Sequence, residues 1–461
     1  MKRLLLLILL AFNLQVAFSQ TFDVVKIKDS GADNKRINLV ILGDGYTSSE
    51  LSQFETDATS FMNDLFAEEP FASYENYFNV HIIKVISMES GASHPGTASD
   101  EASYSVPTQT VNNYFGTMYD SYDIHRLLYT ENQGSISTVL ATNFPAYDQA
   151  LILVNSPYYG GSGGPFPIAS TGLDSGEIAI HELGHSFVDL KDEYYPGDAL
   201  AAEAINMTQE TDPTLVRWKN WIGVDNVGVY AYATSGNAAD WNRPHQTCKM
   251  RYLGFPFCAV CKEGIIEKIH DLVSPVDSYS PTEATISNPT FPIPFLINTI
   301  QTIPSTTLEN TWTLNSSTYA TNVETVNVLE SDLDTGTNNL TVVVHDATTQ
   351  LNIDNHESIH VATISWTIDN TLGIQGVIAN DFNISMYPNP SNTFVNFNIE
   401  NTLGKDVLVE IISIDGKKIK ALNLSNSETS QMDISALSRG LYITNFYQNN
   451  TLIASKKLVK N

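Results

Sequence analysis

The chain has 461 residues, with 24 Lys and Arg against 51 Asp and Glu, a formal charge of −27, and 42% hydrophobic side chains. That length implies several domains and a large core, and the acid excess excludes nucleic acid as a natural partner, because phosphate binding needs clustered Lys and Arg. Charged residues at 16% exclude a disordered chain, and three cysteines are too few for a disulfide scaffold.

Lys2 and Arg3 precede an apolar run from Leu4 to Leu14, and the stretch ends Ala17-Phe18-Ser19. A charged start, a short hydrophobic segment and small residues before a cut describe a signal peptide over residues 1–19. A membrane anchor would need about 20 continuous apolar residues, and Asn13 and Gln15 interrupt this run. The mature protein is therefore expected to be exported through the periplasm, secreted or held at the cell surface, with no integral membrane segment.

Residues 20–272 read as mixed α/β. Ile37 to Leu42 is a short apolar strand ending in the turn Gly43-Asp44-Gly45. A helical pattern follows on Leu51, Phe54, Ala58, Phe61, Met62 and Leu65, closed before Pro70. Asn79 to Ile86 and Ala150 to Val154 are further strands, so a crossover unit and a partly parallel sheet are expected. The Gly-rich stretch Tyr158 to Gly164 comes next. It lacks the Lys-Ser/Thr ending of a phosphate loop, and reads either as a surface loop or as backbone that admits an extended substrate.

The chemistry concentrates in His181-Glu182-Leu183-Gly184-His185. On a helix, the four-residue spacing puts both imidazoles on one face as two ligands of one zinc ion. Glu182 beside them can take a proton from a zinc-bound water. The plainer alternative is a surface helix with incidental histidines. Zinc needs a third protein ligand and an open position, and Asp189, Asp192 and Glu193 follow at once.

The run Val188 to Tyr194 resembles the metzincin pattern HExxHxxGxxH/D, in which the chain turns and returns a ligand. The glycine position is Val188 here and the usual ligand position is Lys191, which cannot serve; one extra residue places Asp192 in that role, with Glu193 the alternative and Asp189 the weakest. The segment His181 to Tyr194, with the upstream Asn38 to Tyr46, Pro70-Phe71 and Asn79-Val80, closely resembles the IgA-specific metallopeptidase family, peptidase family M64. The resemblance implies a metzincin-like zinc endopeptidase acting on protein or peptide substrates, though not immunoglobulin in particular. Cys248 to Tyr252 resembles the Met-turn of that clan, which implies Met250 as an apolar floor beneath the ligands and Tyr252 as an assistant to the oxyanion. His245 reads as structural. A disulfide from Cys248 to Cys258 or Cys261 would brace the turn; the alternative is a structural zinc held by three thiols and a histidine.

After Lys268 no Lys or Arg occurs until Lys405, and boundaries are placed near Val273 and in the linker 376–381. Residues 273–375 carry β-branched runs, Leu340 to Val344 and His360 to Trp366, with the grain of a small antiparallel Ig-like sandwich expected to fold by itself. In residues 382–461, Phe394 to Ile399 alternates, and Val407 to Ile412 leads into the hairpin signal Asp415-Gly416. Tyr387-Pro388-Asn389-Pro390, Ile414 to Lys417, Leu437 to Tyr442 and the ending Lys456 to Lys460 resemble the type A C-terminal sorting domain of type IX secretion. The expected fold is thus an α/β metzincin-like zinc peptidase followed by two small all-β sandwiches, the second addressed by the type IX machinery. The competing function is a secreted adhesin or binding protein with a degenerate peptidase domain.

Overall fold

The computed structural model describes residues 20–101, 106–195, 201–370, 384–399, 406–424, 429–449 and 451–461. The expected signal over 1–19 and the linker 376–381 lie outside the described residues. Among those described, no helix is long and apolar enough to cross a membrane.

Six strands of the N-terminal region share one sheet: β1 (Val24–Lys28), β2 (Ile37–Asp44), β3 (Phe78–Ile83), β4 (Gln149–Val154), β5 (Gly161–Ser162) and β6 (Ile168–Ser170). Their order is β1-β3-β2-β4-β6-β5. β2 pairs in parallel with β3 and β4, and β4 with β6, while β1 and β5 run antiparallel to their neighbours at the two edges. Every residue of β2, β3 and β4 is buried, which follows from covering a parallel sheet on both faces. Alternation along β2 feeds two cores: Leu39 and Ile41 join Phe54, Leu183 and Met250, whereas Val40 and Leu42 join Phe115 and Ile136. The first face carries α1 (Leu51–Leu65), which buries Phe54, Ala58, Phe61 and Leu65, together with α3 (Ser175–Val188) and α4 (Ala259–Leu272). The second carries α2 (Gln133–Asn143) through Ile136, Val139 and Leu140.

The turn after β2 serves the scaffold. Asp44 is fully buried, and its carboxylate accepts from Phe115 N at 3.0 Å, Thr117 N at 3.3 Å and Thr117 Oγ1 at 2.6 Å. Gly45 follows at φ 70°, where a Cβ would stand 2.3 Å from Gly91 O, so only glycine fits.

A short pair, β7 (Tyr230–Ala231) with β8 (Asn242–Arg243), precedes α4. The next region holds β9 (Val276–Ser280), β10 (Thr285–Ser287), β11 (Ile293–Thr299), β12 (Leu308–Leu314), β13 (Ser317–Thr321), β14 (Thr325–Val328), β15 (Gly336–Asp346) and β16 (Val361–Asn370). They form a five-stranded sheet, β10-β16-β15-β12-β13, and a three-stranded one, β14-β11-β9. The expected antiparallel grain holds for β9 with β11 and for β12 with β13, but β10 pairs with β16 in parallel.

Pro294–Val326 and Thr341–Ser365 pack with the residues up to Thr282 as one compact unit. The compositional boundary near Val273 is therefore crossed by specific contacts. Asp346 is buried, and accepts from Tyr74 Oη at 2.5 Å, His270 Nε2 at 2.9 Å and Thr307 Oγ1 at 2.6 Å. Glu263 of α4 accepts from Trp221 Nε1 at 2.8 Å and from the backbone N of Asn352, and Ile300 and Leu351 belong to the same core as Phe54 and Met250.

The second unit comprises Glu283–Ile293, Asn327–Leu340 and Trp366–Asn461. Its C-terminal part has β17 (Ile384–Tyr387), β18 (Phe394–Ile399), β19 (Val407–Ser413), β20 (Lys418–Leu424), β21 (Thr429–Asp433), β22 (Gly440–Gln448) and β23 (Thr451–Lys460), in sheets ordered β17-β18-β21 and β20-β19-β22-β23. Val395, Phe397, Val409, Ile411, Phe446 and Leu458 fill its core. The expected hairpin at Asp415-Gly416 joins β19 to β20, with Gly416 at φ 82°.

Candidate active site

Helix α3 carries His181 and His185 one turn apart, their ring centroids 4.9 Å from each other. His181 Nδ1 lies 3.0 Å from Lys249 O, and His185 Nδ1 lies 2.6 Å from Leu190 O. A carbonyl only accepts, so both Nδ1 atoms carry the proton and both Nε2 atoms face the space between the rings. Asp192 Oδ1 closes that space, 3.1 Å from His181 Nε2 and 3.3 Å from His185 Nε2. Burial alone would lower the His185 pKa, but its hydrogen bond and charge attraction to Asp192 raise it to about 9. The same imidazoles, against the opposing effect of burial, hold Asp192 well below the usual carboxylate range. Two imidazoles with fixed tautomers and one ionised carboxylate form a donor set that suits zinc, which would compete there with protons.

The chain reaches Asp192 through a defined turn. Asp189 caps α3 in the left-handed region at φ 57°, its N–H donating to His185 O at 2.9 Å, and Leu190 N donates to Gly184 O at 3.1 Å. A left-handed residue at this place ends a helix and reverses its direction. It sits one residue later than the glycine of the metzincin pattern, and Asp192 stands one residue later than that pattern's ligand. Asp189 itself points away, 79% exposed at its side chain, and pairs with Lys191.

Glu182 Oε2 lies 4.0 Å from His185 Nε2. Burial pushes its carboxyl above the ordinary range, with His181 and His185 pulling the other way. The Gly-rich stretch meets it here: Gly163 follows edge strand β5, and a Cβ on it would stand 2.6 Å from Glu182 Oε2. Arg126 acts electrostatically on Glu182 and hydrogen-bonds the Tyr194 phenol, whose pKa burial raises to about 12. Tyr194 stacks obliquely on His181, with centroids 6.5 Å apart. Tyr232, which also feels the charge of Asp192, keeps a buried hydroxyl that has no protein partner.

The floor of the site is the turn 248–252. Met250 is fully buried, and its Sδ would lie 2.8 Å from a Cβ at Gly184, so the glycine between the histidines lets the turn close on α3. Met250 O accepts from Glu193 N at 2.7 Å. Lys249, 1% exposed, anchors the turn through Glu177 at 2.6 Å and Glu68 at 3.3 Å.

Three sequence expectations sit differently. Tyr252 is 46% exposed, with the Arg251 guanidinium 4.8 Å over its ring and Phe255 alongside; the tyrosines coupled to Asp192 are Tyr194 and Tyr232. Glu193, the alternative ligand, turns away from the histidines toward Asn206 and Cys261. The expected disulfide is absent, since all three cysteines are free thiols. His245 spans a surface turn, bonded to Asp225 O and Thr247 N. Arg126, in no motif, escaped sequence reading altogether. A further donor group, His94, Glu101, Asp120 and His125, lies in the loops after β3, its imidazoles 2.8–3.3 Å from its carboxylates.

Residues 25–226 match the family model for IgA Peptidase M64, and residues 385–461 match that for the secretion system C-terminal sorting domain. No curated protein matches the chain. Among solved structures, a Parabacteroides merdae β-glucuronidase is similar at 10% identity and TM-score 0.16, over 49% of this chain and 28% of its own. The fibronectin(III)-like modules of Clostridium thermocellum CbhA are similar at 12% identity and TM-score 0.15, over 40% of this chain and 93% of their own. The chain spans less than a third of the glucuronidase, and likenesses at these scores carry no weight for fold or function. The first match places a region similar to an M64 peptidase at the N-terminus, and the sorting-domain match marks a secreted or cell-surface protein.

Proposed function

We propose that this chain is a secreted zinc-dependent endopeptidase in which His181, His185 and Asp192 hold the metal and Glu182 is the general base. The observation that carries the reading is the meeting of those three donors at 3.1–3.3 Å, with Glu182 beside them, inside the M64-matching residues. A zinc ion held there would supply Lewis acidity, lowering the pKa of a water toward about 7 and polarising the scissile carbonyl. Glu182 takes the proton of the attacking water as its oxygen bonds to the carbonyl carbon. It then returns that proton to the amine nitrogen as the C–N bond breaks. Burial raises the Glu182 carboxyl above the ordinary carboxylate range, the direction that favours a carboxyl able both to take a proton and to return it. Gly163, whose missing side chain leaves the space beside Glu182 open, gives an extended peptide room to approach that carboxyl, and Tyr194, positioned by Arg126, is better placed than Tyr252 to face the oxyanion.

A binding protein with a degenerate peptidase domain is the weaker reading, because both histidines, Glu182 and Asp192 are all present and converge. Zinc analysis with a fluorogenic unfolded-protein substrate separates the two. Asp192→Asn is expected to weaken zinc binding beyond the roughly 10–100-fold typical of outer-sphere changes, whereas Asp189→Asn, at an exposed turn that Asn tolerates, keeps metal and activity. Tyr252→Phe should stay within a few-fold of wild type and Tyr194→Phe should fall further. Zinc-free wild-type protein without peptidase activity would favour the binding reading.

The C-terminal domain is proposed to serve export alone. Deleting residues 382–461 should leave the peptidase activity of purified protein intact while the chain accumulates in the periplasm of its host; loss of activity on truncation would make the tail part of the enzyme.

A further inference from the structure

Beneath the candidate active site, four donors meet almost wholly out of contact with water. Cys248 and Cys261 are fully buried, Cys258 nearly so, and Glu193 is 0% exposed. The sulfurs of Cys248 and Cys261 are 3.7 Å apart, those of Cys258 and Cys261 3.6 Å, and Cys261 Sγ is 3.5 Å from Glu193 Oε1. All four ligand atoms lie within 4.8 Å of one another.

These separations select among the possible states. A disulfide needs sulfurs about 2.0 Å apart. Tetrahedral zinc with Zn–S near 2.3 Å and Zn–O near 2.0 Å puts sulfurs about 3.8 Å apart and sulfur and oxygen about 3.5 Å apart, which is the observed spacing. Cys258 is the N-cap of α4 and Cys261 lies in its first turn, where the helix dipole favours thiolates. Cys248 Sγ accepts the N–H of Cys258 at 3.3 Å, as a metal-bound thiolate does. Glu193 Oε1 accepts from Asn206 Nδ2 at 3.1 Å, but Glu193 Oε2 is buried without any protein partner. A carboxylate oxygen left bare in a dry pocket of three sulfurs calls for a cation. Buried Arg243, in electrostatic contact with Glu193, offsets part of the remaining negative charge.

We infer that Cys248, Cys258, Cys261 and Glu193 form a closed, four-ligand structural zinc site, separate from the catalytic centre. Soft thiolates in tetrahedral array select zinc over calcium or magnesium, and four protein ligands leave no open position for catalysis. The three cysteines lie beyond the span that matches the M64 family model. The site's purpose follows from its neighbours. Glu193 directly follows Asp192; it bonds Asn206 and lies beside Cys261, while Asp192 meets the histidines. Cys248 comes two residues before Met250, and Lys249 O orients His181. A zinc here ties together the segment that presents Asp192 and the turn that forms the floor.

Cobalt substitution tests this independently of peptidase activity. The full chain carrying His181→Ala and His185→Ala, loaded with Co(II) in reducing buffer, is expected to keep one tightly held cobalt with a strong near-ultraviolet thiolate-to-cobalt band. No nitrogen and oxygen site, including His94, Glu101, Asp120 and His125, gives that band. Iodoacetamide should leave all three cysteines unmodified in zinc-loaded native protein and modify them after chelation. Cys258→Ser should abolish the band; because it also risks unfolding the chain, Glu193→Gln serves as the milder variant, keeping the band but shifting the visible cobalt spectrum. A folded histidine double variant with no thiolate band, an intact mass showing a disulfide, or thiols equally reactive with and without metal would each overturn the site. Failure of the peptidase reading would leave these measurements untouched.

Discussion

Glu182→Gln is expected to lower kcat for peptide hydrolysis by about 10²–10⁴-fold, the usual worth of a positioned general base, while zinc content and the thermal midpoint stay at wild-type values. The side chains are nearly isosteric, and the three proposed metal donors reach their places without Glu182: His181 and His185 through Lys249 O and Leu190 O, Asp192 through the Asp189 turn. What glutamine lacks is a carboxylate able to take a proton and give it back. The measurement is kcat on an unfolded-protein substrate alongside zinc analysis of the same sample. Full activity at full zinc would remove Glu182 from the mechanism, and loss of zinc together with activity would make it a ligand or a structural prop.

The sequence made much of this centre legible because helical spacing is a geometric statement. Residues four apart share a face, so His181 and His185 had to point together and Glu182 had to lie beside them. The proposed third ligand was harder, since Asp189, Asp192 and Glu193 all stand at reachable distances along the chain. What separates them is a left-handed φ at Asp189, which aspartate adopts only occasionally and which no local pattern announced. That turn sends Asp189 to solvent, Asp192 to the histidines and Glu193 inward. Arg126 and Tyr232 were invisible for another reason: they arrive from loops far away in sequence, and nothing about an isolated Arg or Tyr marks such a meeting. Tyr252 looked promising from its offset to Met250, but packing against Arg251 and Phe255 is what the tertiary structure gives it.

The fold divides in the same way. β2, α1, β3 and β4 were readable because each carries its own period, and the burial of Phe54, Ala58, Phe61 and Leu65 repeats the spacing that predicted the helix. The pairing of β10 with β16 was not readable, since strand propensity says nothing about direction. Nor was the packing across Val273. The absence of Lys and Arg after Lys268 suggested an independent unit, yet composition reports on the surface, whereas association is decided by buried groups such as Asp346, Glu263, Ile300 and Leu351.

Asp346→Asn is expected to destabilise the first unit by about 3–5 kcal/mol, the range for breaking a buried charged network by altering one partner. The carboxylate receives Tyr74 from the segment after α1, His270 from α4 and Thr307 from just before β12, so the loss is felt on both sides of the boundary. Burial would raise the Asp346 pKa, but its hydrogen bonds to His270, Thr307 and Tyr74 outweigh that and lower it. A carboxylate whose folded pKa lies below its unfolded value stabilises fully above the unfolded value, near 3.9. That contribution is lost as pH falls through the folded value. Wild-type protein should therefore lose stability on acidification below about pH 4 with a component that the Asn variant lacks. Tyr74→Phe, which removes one hydrogen bond to the charge, should cost about 1.5–3 kcal/mol, and the Tyr74 and Asp346 changes together should cost less than their sum. Urea midpoints at pH 7 and pH 3 for the three variants and wild type provide the check. Equal stability of Asp346→Asn and wild type at pH 7, or a fragment of residues 20–272 that folds alone with wild-type stability, would mean that the β-rich segment merely rests on the peptidase instead of completing its core.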